Sequence, residues 1–138
     1  MTFSGGEPLL QAKALVPVLK LLQEHGITTC LDTNASLLTD DVKECLRYTD
    51  FVLPDIKHIN AEAHKKLTEQ DNQTPLAFIR YLDTENKKYW IRYVVVPGYT
   101  DGEEDIRRLG EFLTTLTSFQ SIELLPFHNL GKHKRDQL

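Results

Sequence analysis

Short apolar runs alternate with helical-period segments along the whole chain. Thr2–Ser4 reads as a short strand closed by Gly5-Gly6. Leu10, Ala14, Leu15, Val18, Leu19 and Leu22 recur at helical spacing, which predicts a helix from near Lys13 that stops at Gly26. Pro17 then falls close to the first turn, where a missing N–H costs little. Ile27–Leu31 is the next strand. Thr39 caps a helix over Asp40–Tyr48, with Asp40 and Asp41 at its positive end. Phe51–Asp55 is a third strand, running on into Ile56-Lys57. Asn60 caps a helix over Ala61–Thr68. Thr74-Pro75 reads as a cap followed by a proline at the first helical position, with the helix running to about Asn86. Tyr89–Val96 is the longest strand, ended by Pro97-Gly98. Glu103–Leu116 is a helix with an acidic first turn, and Ser121–Leu125 is the last strand.

The predicted order is β-α-β-α-β-α-α-β-α-β. The strands are mostly apolar without strict alternation, as expected of strands covered on both faces, so the fold class is α/β with a parallel sheet. Five strands in sequential order, joined by right-handed crossovers, make either an open doubly wound sheet or part of a barrel.

Length and charge narrow the class. At 138 residues one domain spanning residues 1–138 is expected. The formal net charge of −4 argues against duplex nucleic acid as a partner, which requires a basic excess. No apolar run is long enough for a membrane span, and the Met1–Gly6 start lacks the charged and apolar regions of a signal peptide. Cys30 and Cys45 make no secreted disulfide framework, which points to a reducing cytoplasm. The chain starts within a β-prone segment and ends in a polar run that closes no helix. The expectation is a piece of a longer protein.

Polar residues gather at one end of the predicted strands. Successive strands run into Ser4-Gly5-Gly6-Glu7, Asp32-Thr33-Asn34, Asp55-Ile56-Lys57, Pro97-Gly98 and Pro126-Phe127-His128, and the fourth strand carries Arg92. In a parallel α/β fold all strand C-termini share one face, and ligands bind there. Glu7, Asp32, Asp55, Lys57 and His128 should therefore converge. Each feature also has a plainer reading. Gly5-Gly6 serves a tight turn equally well, Asp32-Thr33-Asn34 an Asx turn, and Asp55 with Lys57 a surface ion pair. Cys30 reads as a small core residue and Cys45 as a core-facing one. His25, His58, His64 and His133 show no ligand spacing and read as solvated. The basic run Gly131–Arg135 is either solvated or, beside the proposed mouth, a hold for an acidic or protein partner.

Longer strings carry a family resemblance. The segment Thr2-Phe-Ser-Gly-Gly-Glu-Pro8 resembles the second-strand motif of radical S-adenosylmethionine (SAM) enzymes. Thr29-Cys-Leu-Asp-Thr-Asn34, Trp90-Ile-Arg-Tyr-Val-Val-Val-Pro-Gly98, Ile122-Glu-Leu-Leu-Pro-Phe-His128 and Leu130-Gly-Lys-His-Lys134 resemble the activating enzymes of pyruvate formate-lyase, a family of glycyl-radical activases. The match runs from Thr2 to Lys134.

The resemblance implies an oxidoreductase built on a partial (β/α) barrel, with SAM across the mouth at the strand C-termini. It implies a 4Fe–4S cluster held by a C-x3-C-x2-C loop, an electron donor, and a glycyl-radical enzyme, pyruvate formate-lyase, as partner. One electron cleaves SAM to methionine and a 5′-deoxyadenosyl radical, which takes hydrogen from a glycine of the lyase. By position, Gly5, Gly6 and Glu7 meet the SAM amino group, mainly through backbone. Asp32 and Thr33 lie near that group and a monovalent cation, which Asp55 would share. Asp55, Ile56 and Lys57 contact SAM, with Lys57 on its carboxylate. His128 lies near the ribose, and Arg92 near the substrate peptide and the radical path. The resemblance also has a gap: this sequence has no C-x3-C-x2-C, and a cluster needs three or four thiolates. The reading is therefore an activase fragment, inactive by itself, that lacks the first strand and the cluster loop. Two rivals are a non-catalytic SAM- or protein-binding domain of natural length, and an activase for another glycyl-radical enzyme. An absent first strand would leave Thr2–Ser4 as an open edge and uncover Phe3, Leu31 and Val94, favouring self-association over a tail folded across the gap.

Overall fold

The computed structural model describes residues 1–126. Its strands are β1 (Thr2–Phe3), β2 (Cys30–Thr33), β3 (Phe51–Ile56), β4 (Lys88–Val95) and β5 (Phe119–Pro126). Its helices are α1 (Ala12–Glu24), α2 (Asp40–Arg47), α3 (Ala61–Thr68), α4 (Gln73–Thr84) and α5 (Glu103–Thr114). The strands form one sheet in the order β1-β2-β3-β4-β5, and every neighbouring pair is parallel. This is the predicted element order and strand order.

The two faces of the sheet differ because successive side chains point to opposite sides. Leu31, Val52, Tyr89, Ile91 and Tyr93 share one face through their pairing register and are fully buried. They join Leu19, Leu46, Phe78, Ile79 and Leu82 of the helices in one core. Burial of each large apolar side chain contributes about 1.5–3 kcal/mol. The opposite face carries Cys30, Asp32, Phe51, Asp55, Trp90 and Arg92. Trp90 stays 44% exposed there, with its ring set edge-on to Phe51 at 5.5 Å.

Several local expectations need correction. Phe3 and Leu31 pair in register with each other on the helix-covered face, and Leu31 is fully buried. Only Val94 of the three residues expected to be uncovered lies on the other face. Strand β2 begins three residues later than predicted, at Cys30, because Thr29 is occupied elsewhere: its N–H and hydroxyl both donate to Asp50 Oδ2, at 2.7 and 2.9 Å. Helix α4 starts before Thr74, with Asp71 Oδ1 accepting from the Gln73 N–H at 2.9 Å. Pro17 sits in the second turn of α1, beyond the first-turn position expected for it, on an exposed flank where water can serve the carbonyl it leaves unpaired. Pro54 lies inside the central strand, and the β3–β4 pairing passes from Val52 to Asp55 without Leu53 or Pro54, as the missing N–H requires. His58 and His64, read as solvated, are both buried.

At the N-terminal end of the sheet Asp83 works as a staple. Its Oδ1 accepts from Tyr89 OH at 2.9 Å and the Ser118 N–H at 2.7 Å, and its Oδ2 accepts from the Thr117 hydroxyl at 3.0 Å. Burial pushes the Asp83 carboxyl up, but the Thr117 and Ser118 N–H groups with the two hydroxyls outweigh it, so it lies below its ordinary 3.8. A depressed folded value means stability present above the ordinary carboxylate range and lost as pH falls through that value. Asp83→Asn should lower unfolding stability by about 1 kcal/mol at pH 6. In urea titrations the deficit should shrink as pH falls below 3.8.

Candidate active site

The β1–α1 turn places two glycines in the left-handed region, Gly5 at φ 95° and Gly6 at φ 57°. Among the described residues, the adjoining ones apart, no heavy atom lies within 4 Å of where a Cβ would stand at either one, so the backbone there is bare. Glu7 closes this turn. Its carboxylate accepts from the Leu9 N–H at 3.0 Å, the Thr33 hydroxyl at 2.8 Å and the Asn34 N–H at 2.8 Å. One side chain thereby ties the glycine turn to the end of β2.

Across the open face of the sheet runs a chain of charges. Asp32 Oδ2 accepts from Ser4 Oγ at 3.0 Å and from Arg92 Nη1 at 2.9 Å. Arg92 Nε lies 3.3 Å from Asp55 Oδ1, and the in-register pairing of Asp55 with Arg92 fixes that approach. Lys57 Nζ donates to Asp55 Oδ2 at 2.6 Å. Asp55 is only 8% exposed. The Nε–Oδ1 approach is not aligned as a hydrogen bond, and among the described residues both atoms are buried without a hydrogen-bond partner. Two carboxylates and two cations therefore meet as a neutral set with unmet hydrogen-bonding capacity, a costly arrangement unless something else completes it.

These groups border a cavity of about 370 Å³ lined by Ser4, Gly5, Gly6, Asp32, Thr33, Asn34, Asp55, Lys57 and Arg92. Residues from the ends of β1, β2 and β3 and from within β4, far apart in sequence, thus converge. Two predicted residues do not join them. The Glu7 carboxylate turns back into the turn it braces, and Ile56 is 1% exposed on the helix-covered face, offering only backbone. His128 and the Gly131–Arg135 run lie outside the described residues. Ser4 and Asn34 belong to the lining and were not singled out in the sequence, although both stand in the polar strings that end β1 and β2. Among the described residues no group of three or more His, Cys, Asp or Glu is arranged to hold a metal ion. The Thr33 hydroxyl is engaged with Glu7, and a cation on Asp32 and Asp55 would have to displace Arg92 or Lys57.

A more open depression of about 640 Å³ lies at the opposite, N-terminal end of the strands, beside Arg47, Lys87 and Lys88. The Lys87 ammonium is occupied there, donating to Arg47 O and Thr49 O at 3.2 Å each. It serves the C-terminal carbonyls of α2. Among the described residues, the buried side-chain polar atoms without a hydrogen-bond partner, Asp55 Oδ1 and Arg92 Nε, belong to residues that line the C-terminal cavity.

Residues 1–110 match the Radical SAM superfamily. The chain belongs to that superfamily. It is 45% identical over 136 residues to the pyruvate formate-lyase 1-activating enzyme of Escherichia coli K12, a match covering 97% of this chain and 55% of that protein. It therefore spans about half the length of the curated relatives it matches. A domain of the pyruvate formate-lyase-activating enzyme from Bacteroides vulgatus superposes with a TM-score of 0.83 at 31% identity, covering 94% of this chain and 81% of that one. Streptococcus suis SuiB, solved with S-adenosylmethionine bound, shares the fold with a TM-score of 0.77 at 18% identity, over 94% of this chain and 30% of that one. The barrel alternative of the two sheet architectures is the one observed.

The residues fit one of the two groups that radical SAM chemistry employs. A zwitterionic amino-acid end matches the neutral charge set, the orphaned Asp55 Oδ1 and Arg92 Nε, and the bare glycine backbone. An iron–sulfur cluster does not fit. The chain's two cysteines lie on β2 and α2, and three clustered thiolates are needed. Burial pushes the Cys30 thiol up, against a hydrogen bond with Thr2, and pushes Cys45 up to about 11. Cys30 is half-buried and Cys45 buried, and both thiols are raised, where a ligating thiolate is lowered.

Proposed function

We propose that this chain supplies the SAM-binding face of an activating enzyme for pyruvate formate-lyase, with the cluster ligands provided by residues outside these 138. The observation that carries the proposal is the Asp32–Arg92–Asp55–Lys57 set beside Gly5-Gly6 at the strand C-termini. In this reading the Gly5 and Gly6 backbone and Asp32 meet the amino group of SAM, and Lys57 meets its carboxylate through a charge-assisted bond. Asp55 holds Lys57 and accepts from the ligand. Glu7 orients the glycine turn from behind. Thr33 and Ile56 contribute backbone and His128 a contact near the ribose; the monovalent cation position expected at Asp32, Thr33 and Asp55 is not assigned, because Arg92 and Lys57 hold those two carboxylates. Arg92 keeps two carboxylates apart and faces the path toward the partner's glycine. When held by the Gly5-Gly6 backbone, Asp32 and Lys57, SAM would supply radical chemistry for hydrogen abstraction, with the one electron that its cleavage consumes coming from the cluster and donor outside these residues. The open lower face, with Trp90 and Phe51, suits an inserted polypeptide loop.

The partners are then pyruvate formate-lyase and an electron donor, and the activity is that of an oxidoreductase in a reducing cytoplasm. Both cysteines are free, and among the described residues no helix is long and apolar enough to cross a membrane. Self-association through β1 has weak support. The strand is two residues long, and very short edges are poor templates for pairing. The named relatives favour pyruvate formate-lyase over another glycyl-radical enzyme.

The test is a chimera in which these residues replace the matching span of the Escherichia coli enzyme. Loaded with its cluster and reduced, it should form 5′-deoxyadenosine and a glycyl radical on the lyase, read by electron paramagnetic resonance. Lys57→Ala should raise the SAM concentration for half-maximal rate about tenfold, the loss of one charge-assisted bond. A folded chimera with a full cluster and no SAM binding would overturn the proposal.

A further inference from the structure

His58 directly follows Lys57. It is 1% exposed, and both of its ring nitrogens are engaged. The Asn60 N–H donates to Nδ1 at 3.0 Å, so Nδ1 is the unprotonated nitrogen. Nε2 then carries the proton and donates to Tyr99 O at 3.1 Å. Asp105 Oδ2 stands 3.6 Å from the same nitrogen. The backbone on either side of the ring is also held. Asn72, itself buried, donates through Nδ2 to His58 O at 3.2 Å and Ile59 O at 2.5 Å. The Tyr99–Thr100 segment that receives the imidazole is pinned in turn to β4. Tyr93 OH donates to Thr100 O at 2.8 Å, and the Thr100 hydroxyl donates to Val94 O at 2.8 Å.

These bonds join the loop after β3 to the loop after β4 from beneath the site. Lys57 and His58 share a peptide bond, and their side chains go to different partners: Lys57 to Asp55, His58 to Tyr99 O and toward Asp105. Fixing the His58 ring therefore fixes the direction in which Lys57 leaves the backbone. A lysine side chain has many rotamers, and its contribution to a ligand depends on how few of them remain.

We infer that His58, seated by Asn72, is a positioning residue that aims Lys57 at the carboxylate of the bound ligand. This rests on the SAM reading of the cavity above. A purely structural role for His58 would lower stability without acting through Lys57, and a double-mutant cycle separates the two.

SAM binding is measured by calorimetry on the 138-residue chain for wild type, His58→Leu, Lys57→Ala and the double variant, with thermal melting of each. His58→Leu should weaken SAM about tenfold, within the range of coupled neighbours, and in the Lys57→Ala background it should change affinity less than twofold. Equal losses in both backgrounds would overturn the inference and leave the SAM reading standing. If wild type binds no SAM, the SAM reading itself fails. Amide exchange then decides whether His58 locks the loops: His58→Leu should speed exchange at Asn60 with the α1 and α4 amides unchanged. Unchanged protection at Asn60 would remove the locking role. Asn72→Ala, which leaves the ring in place, should reproduce a smaller loss of affinity by the same route. Its failure to do so would overturn the seat assigned to Asn72.

Discussion

Arg92→Ala is expected to destabilise the fold by about 2–3 kcal/mol and to abolish measurable SAM binding. Arg92 is the only described cation between Asp32 and Asp55, at 2.9 and 3.3 Å. Removing it leaves two carboxylates facing each other, one of them nearly buried. Breaking a buried pair from one side costs about 3–5 kcal/mol. The lower figure applies because Lys57 keeps its bond to Asp55 and Ser4 its bond to Asp32. Arg92→Lys should recover less than half of the loss, since an ammonium cannot span two carboxylates as the guanidinium fork does. Urea unfolding of the three proteins measures the stability part. An alanine variant as stable as wild type would show that the charge set is not held together as described.

Glu7→Ala is expected to cost about 2–3 kcal/mol, although Glu7 contributes no atom to the cavity lining. Its loss leaves three donors without an acceptor: the Leu9 and Asn34 N–H groups and the Thr33 hydroxyl. Each unpaired, partly buried donor costs about 1 kcal/mol or more. The glycine turn is then released from β2, and ligand affinity should fall with stability. Glu7→Gln retains one oxygen but turns an NH₂ toward a donor, so its loss should be intermediate, near 1–2 kcal/mol. Thermal melting with SAM titration checks both quantities. A Glu7→Ala protein with unchanged melting and weakened SAM binding would instead place this carboxylate on the ligand.

The sheet was legible because the chain punctuates itself. Thr39 and Asn60 cap the helices they were expected to cap, and Gly26 and Pro97-Gly98 mark ends that do end there. Convergence of Asp32, Asp55 and Lys57 followed from parallel topology alone, since strand C-termini share one edge. The family strings added roles that spacing does not carry. What the sequence concealed was side-chain direction at the strand ends. Glu7 stands in a polar string as Asp32 does, yet it turns into its own turn. Phe3 and Leu31 fall on the helix-covered face because register assigns the face, and one residue of shift exchanges the two. His58 and His64 gave no ligand spacing, and their burial depends on backbone partners at Asn60, Tyr99 and Gln70 that no local pattern predicts. Thr74-Pro75 looked like a helix start, but the helix begins one residue earlier, at Gln73, with Asn72 at the N-cap and no side-chain cap.

The most direct test of the account is a titration of the 138-residue chain with SAM, followed by amide chemical shifts in ¹⁵N-resolved spectra. This detects weak binding and needs no cluster. Saturable shifts are expected at Gly5, Gly6, Asp32, Asp55, Lys57 and Arg92, reduced in Lys57→Ala, with Thr28, Phe51 and Lys88 at the opposite end of the strands unmoved. Shifts confined to that opposite end, or none at millimolar SAM, would contradict it.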